Sequence, residues 1–207
     1  MNISLAAFTA ALLIGACPMA MAVSHVDLSV RGTITPSACT PTLSNGGLVD
    51  YGKISVQDLH PTSVTELPPT TFKLAVNCEG LTLFGLASRD NQTTLPGPAT
   101  TYLLGWLSDR QWVGVYYLKL ENVQSDHPTA HTIVSTDNGG SWRYLSPGSS
   151  WAANTLLALG KSDLGPALIK DASMDLVVEP VIYPKNQLPV GESVPLDGSA
   201  TFELRYL

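Results

Sequence analysis

The stretch with the clearest chemical pattern is Ser135-Thr136-Asp137-Asn138-Gly139-Gly140-Ser141-Trp142, which fits the Asp-box S-x-D-x-G-x-[ST]-W. Its physics is a β-hairpin in which the Asp carboxylate accepts backbone hydrogens in the turn and the Trp packs beneath. Such a box is structural. A glycosidase built on it would need further boxes or a carboxylate–Tyr–Arg constellation, and the chain carries neither. His127-Pro128-Thr129-Ala130-His131 spaces two histidines four apart, which on a helix could share a metal. The proline and the β-rich surroundings argue against a helix, and no third ligand stands nearby, so these read as loop histidines. Leu67-Pro68-Pro69-Thr70-Thr71 lacks the glycine and the following anchor of a sortase signal. Asn91-Gln92-Thr93 is a glycosylation sequon only in form. Neither G-x-S-x-G, H-E-x-x-H nor a phosphate loop occurs. The residues therefore point to a non-enzymatic protein without metal or cofactor. Trp106, Trp112, Trp142 and Trp151 are expected to serve the core, the alternative being that exposed ones stack on sugar rings.

The elements that position these residues are strands. With 17 Gly and 15 Pro among 207 residues, no long helical pattern survives, and 44% hydrophobic against 14% charged residues gives a folded, all-β chain with many turns. That length suits one domain with a real core. The net charge of -6 and pI near 5.0 exclude a phosphate-neutralising surface, hence no nucleic acid.

Val26, Leu28, Val30 and Ile34 fall two apart on one face of an N-terminal stretch, with Gly32 at the even position that lacks a side chain. Asp27, Ser29, Arg31, Thr33 and Thr35 take the other face, the period-two mark of a half-buried strand. Residues 48–54 read as a short strand interrupted by a glycine. Thr71 to Cys78 alternates again, with Phe72, Leu74, Val76 and Cys78 inward. The continuous apolar run from Leu81 to Ala87 predicts a strand buried on both faces. Gly114 to Leu120 is a strand, and His131 to Leu145 a hairpin around Asp137-Asn138-Gly139-Gly140. Trp151 to Leu159 fits either a short helix or a strand, and Met174 to Ile182 is β-rich. At the other end, Phe202, Leu204 and Tyr206 share a face, while Thr201, Glu203 and Arg205 alternate with them up to Leu207. A terminal strand of this kind sits inside a finished sheet or exposes an edge to another chain.

Residues 1–22 read as an export signal: Leu5 to Met19 is apolar and small, and Ala20-Met21-Ala22 forms an A-x-A cleavage site. A lipoprotein box at Leu13-Ile14-Gly15-Ala16-Cys17 is the competing reading, which would acylate Cys17. Cleavage at Ala22 leaves Cys39 and Cys78, expected to pair in an oxidising compartment, the alternative being two buried free thiols. By chain entropy the closed loop contributes roughly 4 kcal/mol.

The order Val26-x-Leu28-x-Val30-x-Gly32-x-Ile34-(x)4-Cys39 resembles the N-terminal extension of chaperone–usher pilus subunits. Val49-Asp50-Tyr51-Gly52 is similar to that family's post-cysteine strand, Phe72-x-Leu74-x-Val76-x-Cys78 to its second-cysteine strand, and Ala200 to Leu207 to its closing strand. Family members carry a glycine at a fixed distance before that last strand; this chain has Val194 there, with Gly191 and Gly198 on either side. The chain is also longer than a typical major subunit, with the surplus in its middle, so a divergent branch of fimbrial-like secreted proteins of unknown function looks closer. The resemblance implies an incomplete immunoglobulin-like β-sandwich of pilin type, with one disulfide, completed by a donor strand. It divides the chain into a signal peptide (1–22), a donor extension (23–35) and a pilin-like domain (36–207). Val26, Leu28, Val30, Gly32 and Ile34 would enter the neighbour's groove, and Phe202, Leu204 and Tyr206 would line the acceptor edge. The implied partners are a periplasmic pilus chaperone, whose basic residues would hold the Leu207 carboxylate, an outer-membrane usher and other pilus subunits. The implied location is the periplasm and then the cell surface, in a fimbrium supporting cell adhesion. The alternative is a self-complete, monomeric periplasmic or surface binding module, one that would bind carbohydrate through its tryptophans.

Overall fold

A computed structural model of the chain describes residues 28–32, 38–93, 99–108, 111–162, 164–189, 191 and 193–207. The chain divides into two units, Met1–Thr35 and Pro36–Leu207. In the first, residues 28–32 belong to no helix or strand; Leu28 and Val30 are 89% and 88% exposed. Nothing lies within 4 Å of where a Cβ on Gly32 would stand. Val26 and Ile34, of the same stripe, lie outside the described residues.

The second unit is all-β, two antiparallel sheets packed as a sandwich. One sheet runs in the order β1 (Cys39–Leu43), β3 (Thr70–Thr82), β13 (Ile169–Ile182), β8 (Gly114–Ser125) and β5 (Tyr102–Leu103), with β2 (Thr65–Glu66) also on β13. The other runs β10 (Arg143–Tyr144), β9 (His131–Ser135), β11 (Leu156–Lys161), β4 (Phe84–Asp90) and β14 (Ala200–Tyr206), with β12 (Gly165–Pro166) on β11. A separate hairpin pairs β6 (Trp106–Ser108) with β7 (Gln111–Trp112).

Alternation decides which side chains fill the space between the sheets. Phe72, Leu74, Val76 and Cys78 of β3 are at most 5% exposed, and Tyr116, Leu118 and Leu120 of β8 and Met174 and Leu176 of β13 join them. From the opposite sheet come Phe84, Leu86, Leu157 and Leu159, closed over by Trp151 at 0% exposure. Cys39 faces Cys78 across the β1–β3 ladder and the two are joined in a disulfide.

Three expectations change. The Leu81–Ala87 run is divided: β3 ends at Thr82 and β4 begins at Phe84, so the chain turns a corner between the sheets at Leu83 and leaves Leu81 64% exposed. Residues 48–54 form no strand, because local bonds curl the backbone instead. Asp50 Oδ1 accepts the Gly52 N–H at 2.7 Å, and Gly52 takes φ +60°, a left-handed turn that favours glycine. Of the four tryptophans only Trp151 is fully buried; Trp106 is 39% exposed, and Trp112 and Trp142 are half-buried. The ambiguous Trp151–Leu159 stretch resolves into β11, buried from Leu156 through Gly160 on both faces.

A candidate docking groove between two sheet edges

β1 and β14 are each an edge of their sheet: among the described residues β1 pairs with β3 alone and β14 with β4 alone. Their inward residues are not sealed: Cys39, Leu43, Phe202 and Leu204 are half-buried, although the neighbouring inward residues Val76 and Leu86 are at 0% and 2%. Between the edges opens a groove of about 320 Å³. Its floor is apolar, made by Phe72, Tyr116, Leu118, Leu176 and Val178, and its walls include Leu43, Val49, Leu196 and Phe202. An apolar floor between two strand edges with unused main-chain groups is what an added β-strand requires.

At the opposite end the gap is spanned by one side chain. The Cys39 N–H donates to Tyr206 Oη at 3.0 Å, so a tyrosine side chain plus a hydrogen bond separate the two strands. That reach approaches two strand spacings, about 9.6 Å, room for one further strand. Leu207 donates its N–H to Leu83 O at 3.1 Å, tying the end of β14 to the corner between the sheets. The structure thus places Phe202 in the groove wall, Leu204 half-buried further along β14, and Tyr206, 54% exposed, at the far end. Several groove residues were not singled out by sequence, among them Tyr116, Leu176, Val178 and Leu196. They come from strands far apart in the chain, and only the alternation of β8 and β13 could have pointed to the first three. Gly198 has a steric role here: a Cβ would stand 2.9 Å from Tyr116 and 3.0 Å from the Leu103 carbonyl.

The other chemical candidates settle as structure. Asp137 organises the β9–β10 hairpin: Ser135 Oγ and Ser141 Oγ donate to its carboxylate at 2.7 and 2.6 Å, and the Ser141 N–H at 2.9 Å. These bonds, the Ser141 hydroxyl first, hold its carboxyl down at about 2. His131 is exposed and meets Tyr144 edge-on at 5.9 Å, and among the described residues no group of three His, Cys, Asp or Glu could hold a metal. Burial pushes the Tyr102 and Tyr116 phenols far above their usual range, so this stacked pair stays neutral. Asp90, 1% exposed, accepts the Gln92 and Leu103 N–H groups at 2.9 and 3.0 Å and so ties β4 to β5.

Fold and groove define an all-β sandwich domain with one disulfide and an open edge-to-edge cleft. Among known proteins, a family described as a protein of unknown function (DUF1120) matches residues 28–102, from the exposed Leu28 to the start of β5. Protein GltF of Escherichia coli (strain K12) is 24% identical over 256 residues, covering 100% of this chain and 98% of GltF. Uncharacterized protein YhcF of the same organism is 26% identical over 223 residues, covering 91% of this chain and 93% of YhcF.

Proposed function

We propose that this protein is a structural, non-enzymatic subunit of a chaperone–usher fimbria, exported after loss of residues 1–22 and built into a fibre that supports cell adhesion. Each copy donates residues 26–34 to the groove of another, after a periplasmic chaperone has held that groove and an outer-membrane usher has exchanged the two. The observation that carries the reading is the apolar cleft between β1 and β14, each paired on one side only. Leu28 and Val30 supply the matching stripe, and each side chain moved from water into such a floor contributes about 1.5–3 kcal/mol. Gly32 gives the strand one place without a Cβ, where it can pass a shallow part of the floor. Phe202, Leu204 and Tyr206 form the acceptor edge, and the Leu207 carboxylate is the group a basic chaperone site would hold. Because donor stripe and acceptor groove are different surfaces, the contact is head-to-tail and the product an open filament.

The test is thermal unfolding of the chain beginning at residue 23, with and without a synthetic peptide of residues 23–35. The expected result is a rise in melting temperature and a block on polymer growth, both lost when the peptide carries Gly32→Leu or Leu28→Asp. A monomer with one melting transition, indifferent to the peptide, would refute strand exchange and leave the self-complete binding module.

A further inference from the structure

Each strand ladder in the sandwich is antiparallel, β14 with β4 and β1 with β3 included. Cys39 lies by Tyr206, so β1 and β14 run in opposite directions and a strand between them is antiparallel to one of the two. Resting on the strand-exchange reading above, it pairs antiparallel with β14, seven residues long against five in β1, and runs from the Tyr206 end towards the Ala200 end. Ile34 then emerges at the Ala200 end of the acceptor. Only residues 35–38 separate Ile34 from Cys39, where the donor's own sandwich begins, and five Cα steps span at most about 17 Å. The Ala200 end of one copy and the Cys39 end of the next are therefore held within reach of each other.

Both ends carry apolar surface that their own domain does not use. At the Cys39 end, Leu81, Leu164 and Leu168 are 64%, 76% and 51% exposed. The pairing of Ile169 with Thr82 places Leu168 diagonally across the ladder from Leu81, and Leu164 opens the short β12 link just before it. At the Ala200 end stands the β6–β7 hairpin, outside both sheets, with Trp106 exposed and set edge-on against Trp112 at 5.8 Å. It is pinned in place: Trp106 Nε1 donates to Gln92 O at 2.7 Å, and Asp197 N to Leu104 O at 2.9 Å. Exposed leucines at one end and an exposed aromatic pair at the other are surfaces suited to a heterologous contact. A tether this short raises the effective concentration of the two surfaces to the millimolar range, so that a weak apolar contact is occupied.

We propose that the leucine end of each domain packs on the Trp106–Trp112 hairpin of the copy that accepts its strand, a second interface that sets the angle between successive domains. The occupant of the leucine surface is thus a second copy of this chain.

The test uses the chain from residue 23 carrying Leu168→Cys with Ser108→Cys, neither position in the groove, assembled and treated with a short bis-maleimide. Denaturation by boiling in detergent then separates strand-exchanged copies but not cross-linked ones. A covalent ladder from the double variant, absent from either single variant, is the expected result. Adding Leu81→Asp and Leu164→Asp lowers its yield about tenfold or more, the ratio given by 1.4 kcal/mol. Polymers that survive unboiled detergent yet leave no covalent ladder after boiling overturn this interface while strand exchange stands. A cross-link yield unaffected by the two aspartates also overturns it. Absence of any polymer from the unsubstituted chain overturns both.

Discussion

Replacing Cys39 and Cys78 together by Ala tests how β1, one wall of the groove, is held. The bridge closes a sequence separation of 39 residues, for which the loop-entropy relation gives about 4 kcal/mol. In a domain of this size each kcal/mol moves the midpoint by about 2–4 °C, so the melting temperature should fall by about 8–16 °C. The loss should also be uneven. β1 has five residues, of which only Cys39 and Leu43 are even half-buried, and its ladder partner is β3 alone. Little apolar burial replaces the cross-link there, whereas β3 keeps Phe72, Leu74 and Val76 in the core whatever happens to the bridge. Amide exchange in residues 40–43 should therefore speed up well before exchange in residues 72–76. Circular dichroism melting and hydrogen–deuterium exchange by mass spectrometry read the two effects. A fall in melting temperature under about 3 °C, less than 1–2 kcal/mol on the same scale, would refute the loop-entropy argument. Equal acceleration in β1 and β3 would refute the claim that the bridge is what keeps β1 on the sheet.

Two further outcomes follow from single side chains. Asp137 titrates at about 2 in the fold because its neighbours bond the ionised form, so its contribution is complete above the usual carboxylate range and is lost as pH falls towards 2. Asp137→Asn should lower the melting temperature at pH 7 and flatten its decline between pH 5 and 2; wild-type and variant curves that stay parallel over that window would contradict this. Tyr206→Phe removes the hydrogen bond from Cys39 N, worth about 0.5–1.5 kcal/mol, and with it the tie across the end of the groove. Uptake of the 23–35 peptide, followed by fluorescence anisotropy, should become faster, and an unchanged rate would mean that Tyr206 does not stand in the path of an entering strand.

The strands that could be read from the sequence are those with one wet and one dry face. β3 and β14 alternate because water lies on one side of each: Phe72, Leu74, Val76 and Cys78 of β3 and Phe202 and Leu204 of β14 face inward as the pattern names them, while Tyr206 on the same stripe is 54% exposed. β11 was ambiguous for the opposite reason: Leu156 to Gly160 is buried on both faces, so no polar residue marks the period. The 48–54 stretch misled because alternation says nothing of a competing local bond, here the one from Gly52 N to Asp50. Val26 and Ile34 lie outside the described residues, whereas of the candidate groove Phe202 was legible as part of a local pattern. The floor between β1 and β14 was not, since Phe72, Tyr116 and Leu176 meet only through pairings that join distant parts of the chain.

In the proposed strand exchange, chain length also decides which groove residues 26–34 can enter. To run against β14 in its own domain, the strand would have to bring Ile34 to the Ala200 end. Cys39 is fixed at the other end, its N–H bonded to Tyr206. The seven residues of β14 extend about 20 Å, and the link from Ile34 to Cys39 reaches at most about 17 Å. Only insertion in the same direction as β14 is within reach, which gives up antiparallel pairing with the longer of the two edges. Antiparallel pairing with β14 is open to a strand from a second copy, as the proposed filament requires. Lengthening the 35–38 link by a dozen flexible residues should therefore convert polymers into monomers.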